Sequence, residues 1–337
     1  MESSTEPLLG SRESLYPSQE NPSGGAREVS FSIIIETENL AQADLDEFVK
    51  SLVCLSQQQP PVETANEVIL IDSGNTPAKV LQKARRHFPW LQVQTVPAHV
   101  GYYRTKMMGA ERATGDIVVF YDSDCLYPRQ WLSQMLEGFR DPNVQVVAGE
   151  TKTGGAASVY GTAMAIVYIF PQFSGQEGLQ SDERYFLNNV AFRRNFLLEH
   201  PIPGTLPLYR GNCVVHAQHL VRLGYTIWRN PQAKAIHAPP NTLKHFFWRF
   251  LLIGYDYYWL PRLSPNVSEP SHNMRGKFQI FAQRMGRLVA SDFRHLLFFP
   301  LALPLIVFSA LLIWIGFCIT SFRPFLLRSL GAKYGMD

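Results

Sequence analysis

Four short runs of β-branched and apolar residues, separated by segments of helical length, constrain this chain more than any other feature. They are Val29–Ile35, Glu67–Asp72, Leu91–Val96 and Asp116–Tyr121. Each suits a buried strand. Between them, residues 44–58, 77–88 and 102–113 have helical spacing or length, and Leu45, Phe48, Val49, Leu52 and Leu55 mark one helix face. Strands alternating with helices of this length predict βαβ units and a mostly parallel sheet covered by helices on both faces. In such sheets ligands bind beyond the carboxyl ends of the strands. The second run ends in Asp72, and the fourth runs into Asp122-Ser123-Asp124, so acids from both converge on one crevice.

The second half is less regular. The pattern predicts a helix over 129–140, a strand over 144–151 and an unusually apolar helix over 156–170. Residues 171–184 read as a polar loop, and 189–199 and 214–223 as helical or mixed. Four cysteines, none in a C-x-x-C pair, argue against a structural zinc site. The net charge of +3, from 31 basic and 28 acidic residues, does not supply the basic face of a nucleic-acid binder.

The ends of the chain differ. Residues 1–28 are rich in Ser, Glu, Pro and Gly and read as a disordered tail without an apolar leader. From Leu296 to Phe322 there are 27 residues without a charge. About 20 helical residues cross a hydrocarbon core, so this is a candidate span, or a re-entrant hairpin turned at Pro300 and Pro304. Upstream lie two amphipathic stretches, Leu243–Leu263 and Lys277–Phe293, suited to a membrane interface. Arg275, Lys277, Arg284, Arg287 and Arg294 precede the apolar run; Arg323, Arg328 and Lys333 follow it. Five against three favours a cytoplasmic amino-terminal domain.

Asp122-Ser123-Asp124 places two carboxylates one residue apart at a strand end, the oxygen ligands that Mg²⁺ or Mn²⁺ takes while keeping positions open for phosphate. Here the sequence resembles a family 2 glycosyltransferase with the GT-A fold. The carriers are Val29–Asn39, Val68–Gly74, the stretch Gly101–Asp124 with Gly109 and Ala113-Thr114-Gly115-Asp116, Trp131-Leu132 with Met135-Leu136, and Asn189–Arg194. The resemblance implies a GT-A domain over 29–240, with a nucleotide-binding half (29–125) and an acceptor half (126–240). Amphipathic helices (241–295), the apolar segment (296–322) and a basic tail (323–337) follow. It implies inverting transfer from a UDP- or GDP-sugar, with a divalent metal. Donor contacts are expected at Glu36, Asp72, Lys106, Asp122 and Asp124; metal ligands at Asp122, Asp124 and His237; acceptor-side residues at Asn189, Arg193 and Asn212.

The departures matter more. Glu36 stands where the family commonly has Pro, and Lys106-Met107 where A-x-N is usual. Lys106 or Arg104 could approach the diphosphate, or lie on a solvated helix face. Gly211-Asn212-Cys213 replaces the acidic pair that supplies the general base, and neither Asn nor an ordinary Cys can do that work. Three readings follow. The acceptor is already anionic, such as a polyprenyl phosphate. Or a displaced base, Asp182 or Glu183 first and His216 or His219 next, serves a hydroxyl acceptor. Or the chain is an impaired, binding-only relative. A processive synthase would need more spans and a Q-x-x-R-W motif, which is absent. A nucleotidyltransferase would need a Gly-rich, Lys-containing loop between Ser32 and Leu40, also absent.

Overall fold

The structure, a computed structural model, describes residues 29–37, 45–74, 76–97, 99–264 and 274–333. The expected amino-terminal tail, and the part of the nucleotide loop around Asn39, lie outside them.

The first half forms β1 (Phe31–Glu36), α1 (Leu45–Ser56), β2 (Val68–Asp72), α2 (Ala78–His87), β3 (Leu91–Thr95), α3 (Tyr102–Arg112) and β4 (Ile117–Asp122). These strands pair in parallel in the order β3-β2-β1-β4. β1, β2 and β4 are buried on both faces, which is why they are continuous apolar runs. Phe48, Leu52 and Leu55 of α1 pack on one face, and Met107 and Ala110 of α3 on the other.

The second half adds β5 (Cys125–Leu126), α4 (Trp131–Glu137), β6 (Val146–Thr153), α5 (Val159–Val167), β7 (Gln180–Asp182), β8 (Asn189–Arg193), α6 (Arg194–Glu199), α7 (Asn212–Arg222) and β9 (Ile227–His237). The sheet continues β4-β8-β6-β9-β5, with β7 also on β9. β8 is antiparallel to both β4 and β6, so the sheet is mixed beyond β4. β6 and β9 are parallel, with residues 231–233 of β9 looped out where the register shifts. Asn189 pins that bulge, donating to the carbonyls of Glu150 (3.0 Å) and Ala233 (2.9 Å) while accepting from the Trp131 indole (2.7 Å).

Three helices follow: α8 (Leu243–Leu263), α9 (Met274–Ser291) and α10 (Arg294–Phe322), then a short α11 (Leu326–Lys333). α10 is one continuous helix containing Pro300 and Pro304, so the prolines turn no hairpin. It is long and apolar enough to cross a membrane by length and composition. α8 and α10 run side by side in the same direction: Phe246 meets Phe308 and Tyr258 meets Phe317, and just past the end of α10 Trp259 meets Phe325. Their backbones touch through glycines. A Cβ on Gly316 would collide with the Leu251 carbonyl, and one on Gly254 with that of Ile313. Gly316→Leu is therefore expected to cost about 1–3 kcal/mol by forcing the helices apart, read as a lower unfolding midpoint. α9 packs on α5, and Arg284 donates to the carbonyls of Ile166 (2.8 Å) and Tyr168 (2.6 Å) at the end of α5.

Candidate active site

The carboxyl ends of β1, β2 and β4 form a buried acidic edge. Glu36 closes β1, fully buried, in register between Ile71 of β2 and Asp122 of β4. Asp72 closes β2, and its Oδ1 accepts from Thr37 Oγ1 at 2.9 Å. The hydroxyls of Ser73, Thr76 and Ser123 beside this edge are buried without a partner, as in a crevice shaped for a polar ligand.

Asp122 is paired with a buried lysine. The Lys106 ammonium sits on its Oδ1 in an ion pair buried on both sides. Lys106 also donates to the Tyr121 carbonyl at 2.9 Å and lies over the rings of Tyr102 and Phe120. The Tyr102 hydroxyl donates to both Asp122 oxygens, at 3.2 and 3.0 Å. Burial, then the Asp122 carboxylate, pushes the Tyr102 phenol well above its usual range, so it stays a donor. Lys106 thus lies neither on a solvated face nor in the crevice; it neutralises Asp122. Arg104 points away and pairs with Glu111.

Asp124 is the acid left for a cation. Its Oδ2 lies 3.2 Å from His237 Nε2, because β5 pairs Cys125 directly with His237 at the end of β9. The His237 Nδ1 is 2.6 Å from the Ala238 carbonyl, to which its N–H can donate, and Nε2 is the ring nitrogen that faces Asp124. Ligand atoms of Asp124, Cys125 and His237 lie within 4.8 Å of one another. Burial pushes the Cys125 thiol well above its usual range, so a hard cation would be held by the carboxylate and the imidazole.

Nothing in residue spacing points to the opposite wall. Arg210, ahead of α7, lies over the rings of Tyr102 (4.3 Å) and Tyr209 (4.8 Å). Arg249 of α8, 8% exposed, lies over Tyr209 (5.4 Å) and Tyr168 (5.5 Å). Tyr168 is 6.0 Å from the His237 ring. Side chains therefore run in a ring from Asp122 through Tyr102, Arg210, Tyr209, Arg249 and Tyr168 to His237 and Asp124. Asp256 of α8 anchors this wall by accepting from the amides of Tyr209 (2.6 Å) and Arg210 (2.8 Å), and burial raises its carboxyl to about 6. Arg249 Nε, Tyr168 Oη and His245 Nδ1 are buried without a partner. The wall thus carries two guanidiniums, Arg210 and Arg249, close to the crevice.

The expected acceptor-side residues fare differently. Asn212 opens α7 near Arg210; its amide donates to the Pro203 carbonyl (2.6 Å) and its Oδ1 has no partner. Burial lifts the neighbouring Cys213 thiol to about 11, which removes it as a base. Asn189 is a buried clip for the bulge. Arg193 pairs in register with Ile117, at the far end of β4, and donates to the carbonyls of Phe139, Asp141 and Val144. Asp182 pairs with Ile227, at the opposite end of β9 from His237, roughly 25 Å away at strand rise. It is 3.4 Å from Arg229 and accepts from the amides of Glu183 and Arg184. Neither Asp182 nor Glu183 can reach the crevice as a base.

His216 is also structural. It is buried between the Tyr185 hydroxyl (2.6 Å) and the His200 carbonyl (2.9 Å), and burial lowers it to about 4. A depressed histidine contributes stability above its unfolded value near 6.5 that is lost as pH falls toward 4, up to about 3 kcal/mol. The melting temperature should fall more between pH 7 and pH 5 in the parent than in His216→Gln.

Residues 32–199, about half the chain, match the model of Glycosyl transferase family 2. The chain belongs to that family. The fold is shared with a mannosyltransferase from Pyrobaculum calidifontis solved with GDP-Man and Mn²⁺ (TM-score 0.56, 16% identity, 88% of each chain). It is shared also with GalNAc-T7 solved with UDP, GalNAc and Mn²⁺ (TM-score 0.52, 12% identity, 79% of this chain and 57% of the other). Among curated proteins, polypeptide N-acetylgalactosaminyltransferase 10 of Mus musculus is 32% identical over 109 residues, 32% of this chain. The chain spans 17% of the length of that relative.

Proposed function

We propose that this family 2 member transfers a glycosyl group, with inversion, from a nucleotide-sugar to an anionic, membrane-associated acceptor such as a polyprenyl phosphate. The observation that carries this reading is the Asp124–His237 pair at the strand ends, facing a wall that holds Arg210 and Arg249. Asp124 and His237 would hold a divalent ion, Mn²⁺ or Mg²⁺, which when bound neutralises charge building on the departing nucleoside diphosphate. Asp72 and Glu36, with the unpartnered hydroxyls of Ser73 and Thr76, would bind the nucleoside. Lys106 keeps Asp122 fixed, so that the turn carrying Asp124 is held without Asp122 competing for the metal. Arg210 and Arg249 would bind acceptor phosphate. A phosphate oxygen arrives without a proton to lose, which fits Asn212 where relatives carry an acid.

The apolar α10 supports membrane attachment, and the basic residues flanking it favour the cytoplasmic side. A hydroxyl acceptor on a polypeptide is the second reading, favoured by the names of the curated relatives. The two differ in one assay. With GDP-mannose and UDP-GalNAc each supplied with Mn²⁺, a polyprenyl phosphate should be glycosylated, and a neutral glycolipid or a Ser/Thr peptide should not. Turnover confined to the peptide or the glycolipid would contradict the anionic acceptor.

A further inference from the structure

The apolar helix α10 is long enough to cross a bilayer, yet both of its ends are fastened to the same domain. At its start, His295 Nδ1 lies 2.8 Å from Thr162 Oγ1 of α5. Just past its end, Arg328 of α11 donates to the Leu206 carbonyl at 3.0 Å, and Leu327 packs with Leu252, Tyr255 and Tyr209. Between these anchors α10 covers about 40 Å at helical rise, more than the hydrocarbon core of about 30 Å. A helix crossing that core could not keep both anchors, because one would have to leave the domain's side of the membrane.

The partner helix gives the same answer. α8 lies along α10 in the same direction, and α8 is part of the crevice wall: Arg249 packs on Tyr168, and Asp256 accepts from the amides of Tyr209 and Arg210. A helix that follows α8 stays at the level of the crevice. The wet surface at the far anchor agrees, since Gly204, two residues from Leu206, lies against Arg104, half exposed and paired with Glu111.

The faces of α10 are sorted accordingly. The residues it buries are His295, Ala302, Ser309, Leu312, Gly316 and Thr320; four of the six are small or carry a hydroxyl, and all recur at intervals of three, four or seven, so they form one stripe. Ser309 and Thr320 satisfy their hydroxyls on the carbonyls of Leu305 and Gly316 within the helix. The other side exposes Leu297 (67%), Leu301 (65%), Val307 (64%) and Trp314 (63%). An apolar face of this length, bounded by Arg294 and Arg323, fits the acyl boundary of one leaflet and no aqueous surface.

We infer that α10 does not cross the membrane but lies in the plane of one leaflet, its small-residue stripe on α8 and α5 and its large apolar face in lipid. The catalytic crevice is then held one helix layer from the headgroups, and both flanks of the apolar segment share the side of the catalytic domain. Its test is independent of the sugar and the acceptor.

The full chain, reconstituted into sealed vesicles of phosphatidylcholine and phosphatidylglycerol, would carry single substitutions at three exposed positions: Lys79→Cys on the domain, Ser291→Cys before α10 and Ser329→Cys after it. A membrane-impermeant maleimide is added outside, and labelling is read site by site by peptide mass spectrometry, which separates the native cysteines. In-plane placement predicts that S291C and S329C react to the same extent as K79C. Protection of either flank until detergent is added, with K79C fully reactive, would overturn it. All three substitutions are on exposed side chains, and an unchanged unfolding midpoint checks that each variant is folded.

Discussion

Replacing Lys106 with Met is expected to cost about 3–5 kcal/mol of stability, while the double variant Lys106→Met/Asp122→Asn recovers most of it. Both members of this pair are buried, Lys106 completely and Asp122 to 3% exposure. Removal of the ammonium leaves a desolvated carboxylate whose remaining side-chain donor among the described residues is the Tyr102 hydroxyl. Breaking one half of such a pair is more damaging than replacing both halves by neutral groups of similar size. Chemical unfolding of the two single variants and the double variant measures the coupling. If Lys106 acted only through packing, the double variant would be at least as unstable as Lys106→Met.

Asp124→Ala is expected to lower metal-dependent transfer by a factor on the order of 10²–10³, with little change in stability without metal. Asp124 is partly exposed and its partners include His237 and the Cys125 thiol at 3.6 Å, so the fold depends on it far less than on Asp122. His237→Ala should fall in the same range, and Asp124→Ala/His237→Ala should be little worse than either alone if both hold the one proposed ion. Transfer at the parental rate by Asp124→Ala would remove this pair from the reaction.

The first half of the fold was legible because β1, β2 and β4 are buried on both faces and leave continuous apolar runs. The same runs placed Asp72, Asp122 and Asp124 at strand ends. Spacing could not show that Lys106, about one turn into α3, reaches Asp122 across the core and pairs with it. The second half was harder for a topological reason. β8 runs opposite to β4, so Asn189 and Arg193 fall at opposite ends of one strand, and neither lines the crevice. β9 carries Pro231 and a three-residue bulge that hide its alternation, and without β9 the distance between Asp182 and His237 was invisible. The arginine wall is a product of chain return: α8 comes back to the loop before α7, so Arg249 and Arg210 meet across 39 residues of sequence. Arg249 falls within the Leu243–Leu263 stretch expected at a membrane interface, and its burial among Tyr168 and Tyr209 places it on the crevice wall instead.

The central claim is that Asp124 and His237 hold a metal through which a nucleotide-sugar binds. Thermal unfolding of the full chain with UDP-GalNAc and with GDP-mannose, each with and without Mn²⁺, in the parent and in Asp124→Ala, tests it most directly. A donor at about 100 times its Kd should stabilise the parent by about 2.7 kcal/mol. The account predicts that at least one donor does so with Mn²⁺, that omission of Mn²⁺ abolishes most of the shift, and that Asp124→Ala shows none. A shift of equal size without Mn²⁺, or one retained in Asp124→Ala, would contradict it.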